Sequence, residues 1–188
     1  MNSLLIIKLL KILLKRYVNI IECLDNDNIY IIINAKNLYQ IITILKKSIF
    51  FKIQILTDLT VIDYINNKNY RFHLIYNLCS YFYNIRIFII IPIYNEKIVN
   101  INSLTKFYNS ANWLEREIWD LFGIFFNNHP DLRKILSDYG FIGFPLRKEF
   151  PLSGFFEIRY DEILKKTVFE NIKLTQEYRV YSFINPWL

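Results

Sequence analysis

Four runs of β-branched and aromatic residues, at 52–56, 60–65, 70–78 and 85–93, dominate the middle of the chain. Ile, Tyr, Phe and Val fill them, and such side chains suit a pleated, half-buried strand. Asn66-Asn67-Lys68-Asn69 separates the second run from the third and has the composition of a hairpin loop. A sheet is therefore the element around which everything else must be arranged. Ahead of it, residues 3–23 carry apolar side chains at helical spacing and predict a helix, with Asp25-Asn26-Asp27-Asn28 as the loop that follows. Residues 29–33 predict a short strand, and 37–47 return to helical spacing. The fold class is α+β: an antiparallel or mixed β-sheet with helices packed on it, followed by an extended irregular C-terminal tail.

The texture changes after about residue 100. All four glycines (Gly123, Gly140, Gly143, Gly154) and three of the five prolines (Pro130, Pro145, Pro151) lie between 123 and 154. Glycine and proline fix unusual backbone paths, so this stretch predicts an irregular but defined excursion. Three regions result: an α+β domain over 1–110, a helix with a Gly/Pro-containing segment over 111–154, and a docking tail over 155–188. With no glycine before residue 123, neither a GxGxxG turn nor a P-loop can follow an early strand.

Phe (16) and Tyr (14) are abundant, whereas Ala occurs only at Ala35 and Ala111. The favoured residues have AT-rich codons, which points to an AT-rich genome such as that of an organelle and warns against reading every aromatic as functional. The charge of +6 sits in residues 1–100, which hold 12 Lys/Arg against 6 Asp/Glu, while residues 101–188 hold 11 of each. It is dispersed and forms no block. Cys23 and Cys79 are not in a CxxC pair, fall short of the ligands a cluster or zinc site requires, and read as buried reduced thiols. No apolar run approaches the roughly 20 residues that span a bilayer. Lys8, Lys11 and Lys15 make the first helix amphipathic, as expected for packing on a core.

Residues 112–122 predict a helix whose broad face (Trp113, Leu114, Ile118, Leu121, Phe122) packs on the sheet. Arg116 and Asp120 form an i,i+4 pair on the other side. Glu117, at the edge of the apolar face, needs a cation or strong hydrogen bonds. Trp119 faces outward beside Glu115 and suggests a second contact surface. Pro130 suits the first position of a short helix, with Asp131 complementing its dipole and Gly140 as its cap. Pro145 to Pro151, around Arg147-Lys148-Glu149, predicts an extended charged ribbon.

These residues carry a resemblance. Glu115-Arg116-Glu117-Ile118-Trp119-Asp120-Leu121-Phe122-Gly123, His129-Pro130-Asp131-Leu132-Arg133, Asp138-Tyr139-Gly140-Phe141, Pro145-Leu146-Arg147-Lys148 and Phe150-Pro151-Leu152 resemble the signature of the thirty-kilodalton subunit family of respiratory complex I. Asp58, Asp63-Tyr64, Arg71-Phe72, Tyr76-Asn77-Leu78 and Asn84-Ile85-Arg86 extend it upstream; Gln176-Glu177-Tyr178-Arg179 and Pro186-Trp187 extend it downstream. It covers roughly residues 55–188. Phe144 stands where the family usually has His, Glu149 where it has Asp, and Asn185 where it has Ser.

The resemblance implies a non-catalytic structural subunit in the quinone module of the peripheral arm, on the matrix side of the mitochondrial inner membrane. It implies contact with the forty-nine-kilodalton quinone-site subunit and neighbouring hydrophilic subunits, and contact with the membrane only through the complex. NADH, FMN, iron–sulfur clusters and ubiquinone would be held by other subunits. The expected partner-facing and signature residues are Glu115, Arg116, Glu117, Trp119, Asp120, His129, Pro130, Asp131, Arg133, Asp138, Tyr139, Gly140, Phe141, Gly143, Pro145, Arg147, Lys148, Phe150 and Pro151. Arg133, Arg147 and Lys148 read as charges that pair with partner carboxylates.

Two other readings compete. The +6 charge and the aromatics would suit an RNA-binding protein, but the charge is dispersed and the aromatics follow codon bias. Gly140-Phe141-Ile142-Gly143 matches the GxxG of KH domains without its flanking pattern. Glu115, Glu117 and Asp120 would suit a hydrolase, yet they point to different helix sectors with Arg116 among them, as structural ion pairs do. His129, with one other His (His73) in the chain, reads as a local hydrogen-bonding residue.

Overall fold

The computed structural model describes residues 3–25, 28–67, 69–94, 101–181, 183–185 and 187. Asn26, Asp27, Lys68 and Pro186, named above, lie outside the described residues. The chain forms two compact units, Met1–Lys148 and Glu149–Leu188.

The first unit opens with α1 (Ser3–Leu14), β1 (Val18–Asp25) and β2 (Asn28–Ile33). Ile6, Leu10 and Leu14 recur every fourth residue along α1 and are buried. The helix stops well short of residue 23. The apolar run after Lys15-Arg16 satisfies either period, and pairing decides it: β1 lies antiparallel to β2, with Ile21 opposite Ile31 and Glu22 opposite Tyr30. A 3₁₀ turn, Ala35–Asn37, leads into α2 (Leu38–Lys47), whose Leu38, Ile41, Ile42 and Leu45 are all buried.

The next strands are β3 (Ile55–Asp63), β4 (Tyr70–Ser80) and β5 (Ile85–Tyr94). The two runs expected at 52–56 and 60–65 are one strand. A register shift between Leu56 and Asp58 admits the polar interruption, and the Asp58 carboxylate accepts the Leu59 N–H at 2.8 Å. The five strands are ordered β1-β2-β5-β4-β3, antiparallel except for the parallel pair β2–β5. Alternation buries one face: Ile29, Ile31 and Ile33 on β2, Leu74, Tyr76 and Leu78 on β4, and Ile87, Ile89 and Ile91 on β5.

Helix α3 (Ala111–Phe122) is flanked by two short strands, β6 (Ile101–Asn102) and β7 (Phe126–Asn127), paired in parallel. It lies along β3: Ser110 Oγ donates to the Leu56 carbonyl at 3.0 Å and Tyr108 Oη to that of Ile53 at 3.2 Å. The second unit, described by itself, contains the hairpin β8 (Phe156–Asp161) and β9 (Lys166–Asn171). Arg159 meets Glu170 across it at 2.6 Å. A two-stranded hairpin is marginal alone, and Ile163 (92 %), Phe183 (91 %) and Trp187 (90 %) in this unit are almost fully exposed.

Cys79 is half-buried on β4. Cys23 is on β1, and the described residues do not include its side chain. Three strand spacings, ~14 Å, separate β1 from β4, which precludes a disulfide between them.

Tyr76 is fully buried, and its hydroxyl has no hydrogen-bond partner among the described residues. Burial, then the charge of Glu115, push that hydroxyl's pKa well above its ordinary value. Removing an unpaired buried hydroxyl relieves a desolvation cost. Tyr76→Phe is therefore expected to stabilise the chain by about 1 kcal/mol in urea unfolding; a loss of that size would show a hidden partner.

Candidate functional site

Helix α3 carries two buried carboxylates, and each holds a loop. Glu115 is fully buried. It accepts the Ser103 hydroxyl at 2.6 Å and the Leu104 N–H at 2.7 Å, fixing the turn before the helix. His129 closes the other side, its Nε2 3.9 Å from Glu115 and 3.2 Å from the Asn112 carbonyl. Since His129 Nδ1 accepts the Asp131 N–H at 3.1 Å, Nε2 is the nitrogen that carries the proton toward Asn112. Burial raises the Glu115 pKa to about 7, against the lowering effect of the Ser103 and Leu104 bonds.

Asp120 is also fully buried. Its Oδ2 accepts the N–H groups of Ile135, Leu136 and Ser137 at 3.1, 2.8 and 2.9 Å, and Oδ1 accepts the Ser137 hydroxyl. Lys134 Nζ adds its charge 3.7 Å away. Burial acts to raise this pKa, but the four hydrogen bonds outweigh it and hold the group below the ordinary value.

These contacts correct several expectations. The short helix expected after Pro130 does not form, because the N–H groups of 135–137 bind a carboxylate from α3. Gly140 (φ 74°) sits in a turn in which Phe141 N–H meets the Asp138 carbonyl at 3.1 Å; it caps no helix. The face of α3 is also different from its expected pattern. Trp113 is 67 % exposed, whereas Glu115, Arg116 and Asp120 are buried, because loops cover the helix's polar side. Asp120 binds 135–137 in place of Arg116, and Arg116 Nε donates to the Arg133 carbonyl at 3.2 Å. Trp119 is half-buried: Phe125 and Phe144 stand edge-on at 5.8 and 6.2 Å. The chain's own rings thus take up part of its surface.

Around residues 145–151 the backbone makes turns, in place of an extended ribbon: Arg147 N–H meets the Phe144 carbonyl at 3.2 Å, and Leu146 N–H reaches Leu121 at 3.2 Å. Gly123 ends α3 in the left-handed region at φ 76°. The Phe144 ring lies directly on it, so an added Cβ would come within 2.5 Å of the ring. Arg147 stacks on that ring at 4.4 Å and donates Nε to the Phe122 carbonyl at 2.7 Å, satisfying the helix end. Arg147 is thus engaged within the chain. Asp63, at the end of β3, binds Arg71 at 3.2 Å and the Lys148 N–H at 3.0 Å, which ties this return segment to the sheet.

The expected site residues divide in two. Glu115, Arg116, Asp120, His129, Phe141, Gly143, Pro145 and Arg147 are buried or half-buried around the helix, and Glu117 is half-buried on it. Pro130, Asp131, Arg133, Asp138, Tyr139, Gly140 and Lys148 are exposed, with Arg133 paired to Asp131 at 3.1 Å. Phe150 (half-buried) and Pro151 (exposed) belong to the second unit, where Phe150 meets Phe155 edge-on at 5.4 Å. Sequence reasoning missed Ser103 and Ser137 and gave Asp63 no role beyond the resemblance, because what these residues do depends on partners far along the chain. It also missed the exposed apolar residues of the pinned loop: Leu136 (61 %), Ile142 (83 %) and Leu146 (52 %), beside Tyr139 (97 %).

Among the described residues no group of His, Cys, Asp or Glu is arranged to hold a metal ion, and no helix is long and apolar enough to cross a membrane. Asp120 holds the 135–137 loop by three backbone N–H groups, and Leu136 in that loop is 61 % exposed.

Residues 31–156 match the family described as respiratory-chain NADH dehydrogenase, 30 Kd subunit. NADH-ubiquinone oxidoreductase subunit 9 of Acanthamoeba castellanii is 46 % identical, with 96 % of this chain and 91 % of that one aligned. NADH dehydrogenase (ubiquinone) iron-sulfur protein 3 of Arabidopsis thaliana is 46 % identical over 82 % of this chain and 80 % of its own. A solved trypsin-resistant fragment (1-134) of Nqo5 has a TM-score of 0.56 and 27 % identity, covering 66 % of this chain and 97 % of the fragment. A chain of an archaeal membrane-bound sulfane sulfur reductase shares the fold, with a TM-score of 0.65 at 20 % identity over 77 % of this chain and 85 % of its own. The chain belongs to the respiratory-chain NADH dehydrogenase 30 Kd subunit family. It is a structural subunit of mitochondrial complex I, in the quinone module, and supports the complex's electron transfer from NADH to ubiquinone.

Two outcomes test the site. Because Glu115 binds a proton more tightly folded than unfolded, its contribution is complete below the ordinary 4.5 and is lost as pH rises through about 7. Stability should fall by roughly 3 kcal/mol between pH 4.5 and 8, and Glu115→Gln should remove most of that slope; an unchanged slope assigns it elsewhere. Gly123→Ala should cost at least about 2 kcal/mol, and less in a Phe144→Ala background; equal costs in the two backgrounds would mean the ring does not press on residue 123.

Proposed function

We propose that the chain has no chemistry of its own and acts by holding a partner surface in place. The observation that carries this reading is the Asp120 carboxylate gathering the N–H groups of Ile135, Leu136 and Ser137, so that Leu136, Tyr139, Ile142 and Leu146 project from a fixed loop. A preformed loop binds without the cost of ordering it. The quinone-site subunit is the proposed occupant, and the family assignment supports it. The chain is proposed to hold no flavin, cluster or quinone: its two cysteines lie on strands ~14 Å apart. The iron–sulfur in the Arabidopsis relative's name is read as belonging to the complex.

The exposed second unit is proposed to lie along partner subunits. The likeness to a trypsin-resistant Nqo5 fragment, which covers 66 % of this chain, is compatible with one compact unit and a separate remainder. The AT-biased composition supports mitochondrial encoding, and the matrix side is proposed with it as the side on which a hydrophilic arm would lie.

Native purification through this chain should recover a very large NADH-oxidising complex containing the quinone-site subunit; a free monomer or an RNA-rich particle would contradict the reading. Asp120→Ala and Arg147→Ala should each lower the amount of assembled complex several-fold while leaving turnover per assembled complex unchanged. Normal abundance with slow turnover would place these residues in the reaction.

A further inference from the structure

A second surface lies at the far end of the sheet. Asp63, which the signature segment uses, ends β3, and Ile55 begins it; eight residue steps put them ~26 Å apart. Beyond Ile55 the α2–β3 connection and the β4–β5 turn come together. They expose Ile49 (73 %), Phe50 (56 %), Tyr81 (82 %) and Phe82 (66 %). Single exposed apolar residues are ordinary, but four large ones on two adjoining loops are a patch.

The patch is held rigid. Tyr83 Oη donates to the Ile49 carbonyl at 3.0 Å, Ser80 Oγ to that of Lys52 at 3.1 Å, and Lys52 N–H to that of Ser48 at 3.0 Å. Lys52 Nζ stands 4.3 Å from the centre of the Phe82 ring. Each loop also keeps a non-glycine residue in the left-handed region: Lys52 at φ 43° and Asn84 at φ 50°. Asn adopts that conformation readily; Lys does so at a cost that its surroundings must offset.

The charge on these two connections has one sign. Lys46, Lys47 and Lys52 flank the patch, and no Asp or Glu occurs from Asn28 to Thr57 or from Tyr64 to Asn95. Arg86 on β5 and Asp25 on β1 also lie at this end of the sheet. Lys46 is engaged with the Phe107 carbonyl and the Tyr108 ring, while Lys47 is exposed and half-buried Lys52 holds its ammonium over the Phe82 ring.

We propose that this end of the sheet docks an acidic segment of another protein subunit of the complex, one that places an apolar or aromatic anchor against Ile49, Phe50, Tyr81 and Phe82. Recognition of anionic lipid typically takes a cluster of about four to eight basic residues, more than this patch offers. On the amphipathic helix α1, the stripe of Ile6, Leu10 and Leu14 is already turned into the core. Aromatic anchors ringed by charge are instead the pattern of a protein interface.

The test places a photo-crosslinking p-benzoylphenylalanine at Tyr81 in the chain assembled into native complex, and identifies the product by mass spectrometry. The expected product is a peptide of another subunit with net negative charge. Lys47→Glu should lower the yield about tenfold, Tyr81→Ser should weaken that subunit's retention, and reversing an acid in the crosslinked peptide should restore the Lys47→Glu variant. A crosslink to phospholipid, a crosslink to a neutral or basic peptide, no product, or a yield indifferent to Lys47→Glu would each overturn the proposal. Native mass read on the same samples separates loss of this contact from failure of the complex to assemble.

Discussion

The carboxylate of Asp120 is where the architecture of the second half of the first unit is decided. A buried carboxylate without partners is strongly unfavourable. Three consecutive backbone N–H groups, a hydroxyl and a lysine surround this one. The bonds satisfy the charge and, equally, satisfy a stretch of backbone that belongs to no helix or sheet. Charge-assisted bonds of this kind are shorter and stronger than neutral ones. Glu115 repeats the arrangement one turn earlier on the loop before the helix, with a difference in charge state: it has fewer donors around it and retains its proton to about pH 7. Helix α3 is thus a rod with a loop fastened to it on either side.

The end of the rod is closed by packing. Gly123 reverses the chain, Phe144 fills the space above it, and Arg147 covers the ring while donating to the last turn of the helix. Phe144 is an aromatic plate between Trp119 and Arg147, with no ring nitrogen to donate or accept. Asp63 and Lys148 then fix the return segment to the strand on which the helix lies. Sheet, helix and loops form one continuous set of contacts, as a subunit that works by position requires.

Much of this was legible in the residues. β2, β4, β5, α2 and α3 follow their periodicities to within a residue or two, because each has one strongly apolar face. β1 was not: Val18 to Leu24 is a short apolar run that suits either period, and only its neighbour β2 settles the matter. The Asp/Asn loop between two β-branched runs was the available hairpin signal. The inward turn of Glu115 and Asp120 was invisible for a different reason. Amphipathic reasoning assigns carboxylates to solvent, and the donors that overrule it are backbone groups up to 17 residues away. Of the residues in the family signature, Glu115, Asp120 and Arg147 bind groups within the chain itself.

The central claim is that these loops are rigid before any partner arrives. Hydrogen exchange of the isolated chain tests it at the amides that the carboxylates hold. The account predicts slow exchange at Leu104, Ile135, Leu136 and Ser137, comparable with β4 and far slower than residues 172–181. Exchange at Ile135, Leu136 and Ser137 as fast as in those later residues would mean that the partner, and not Asp120, shapes the loop.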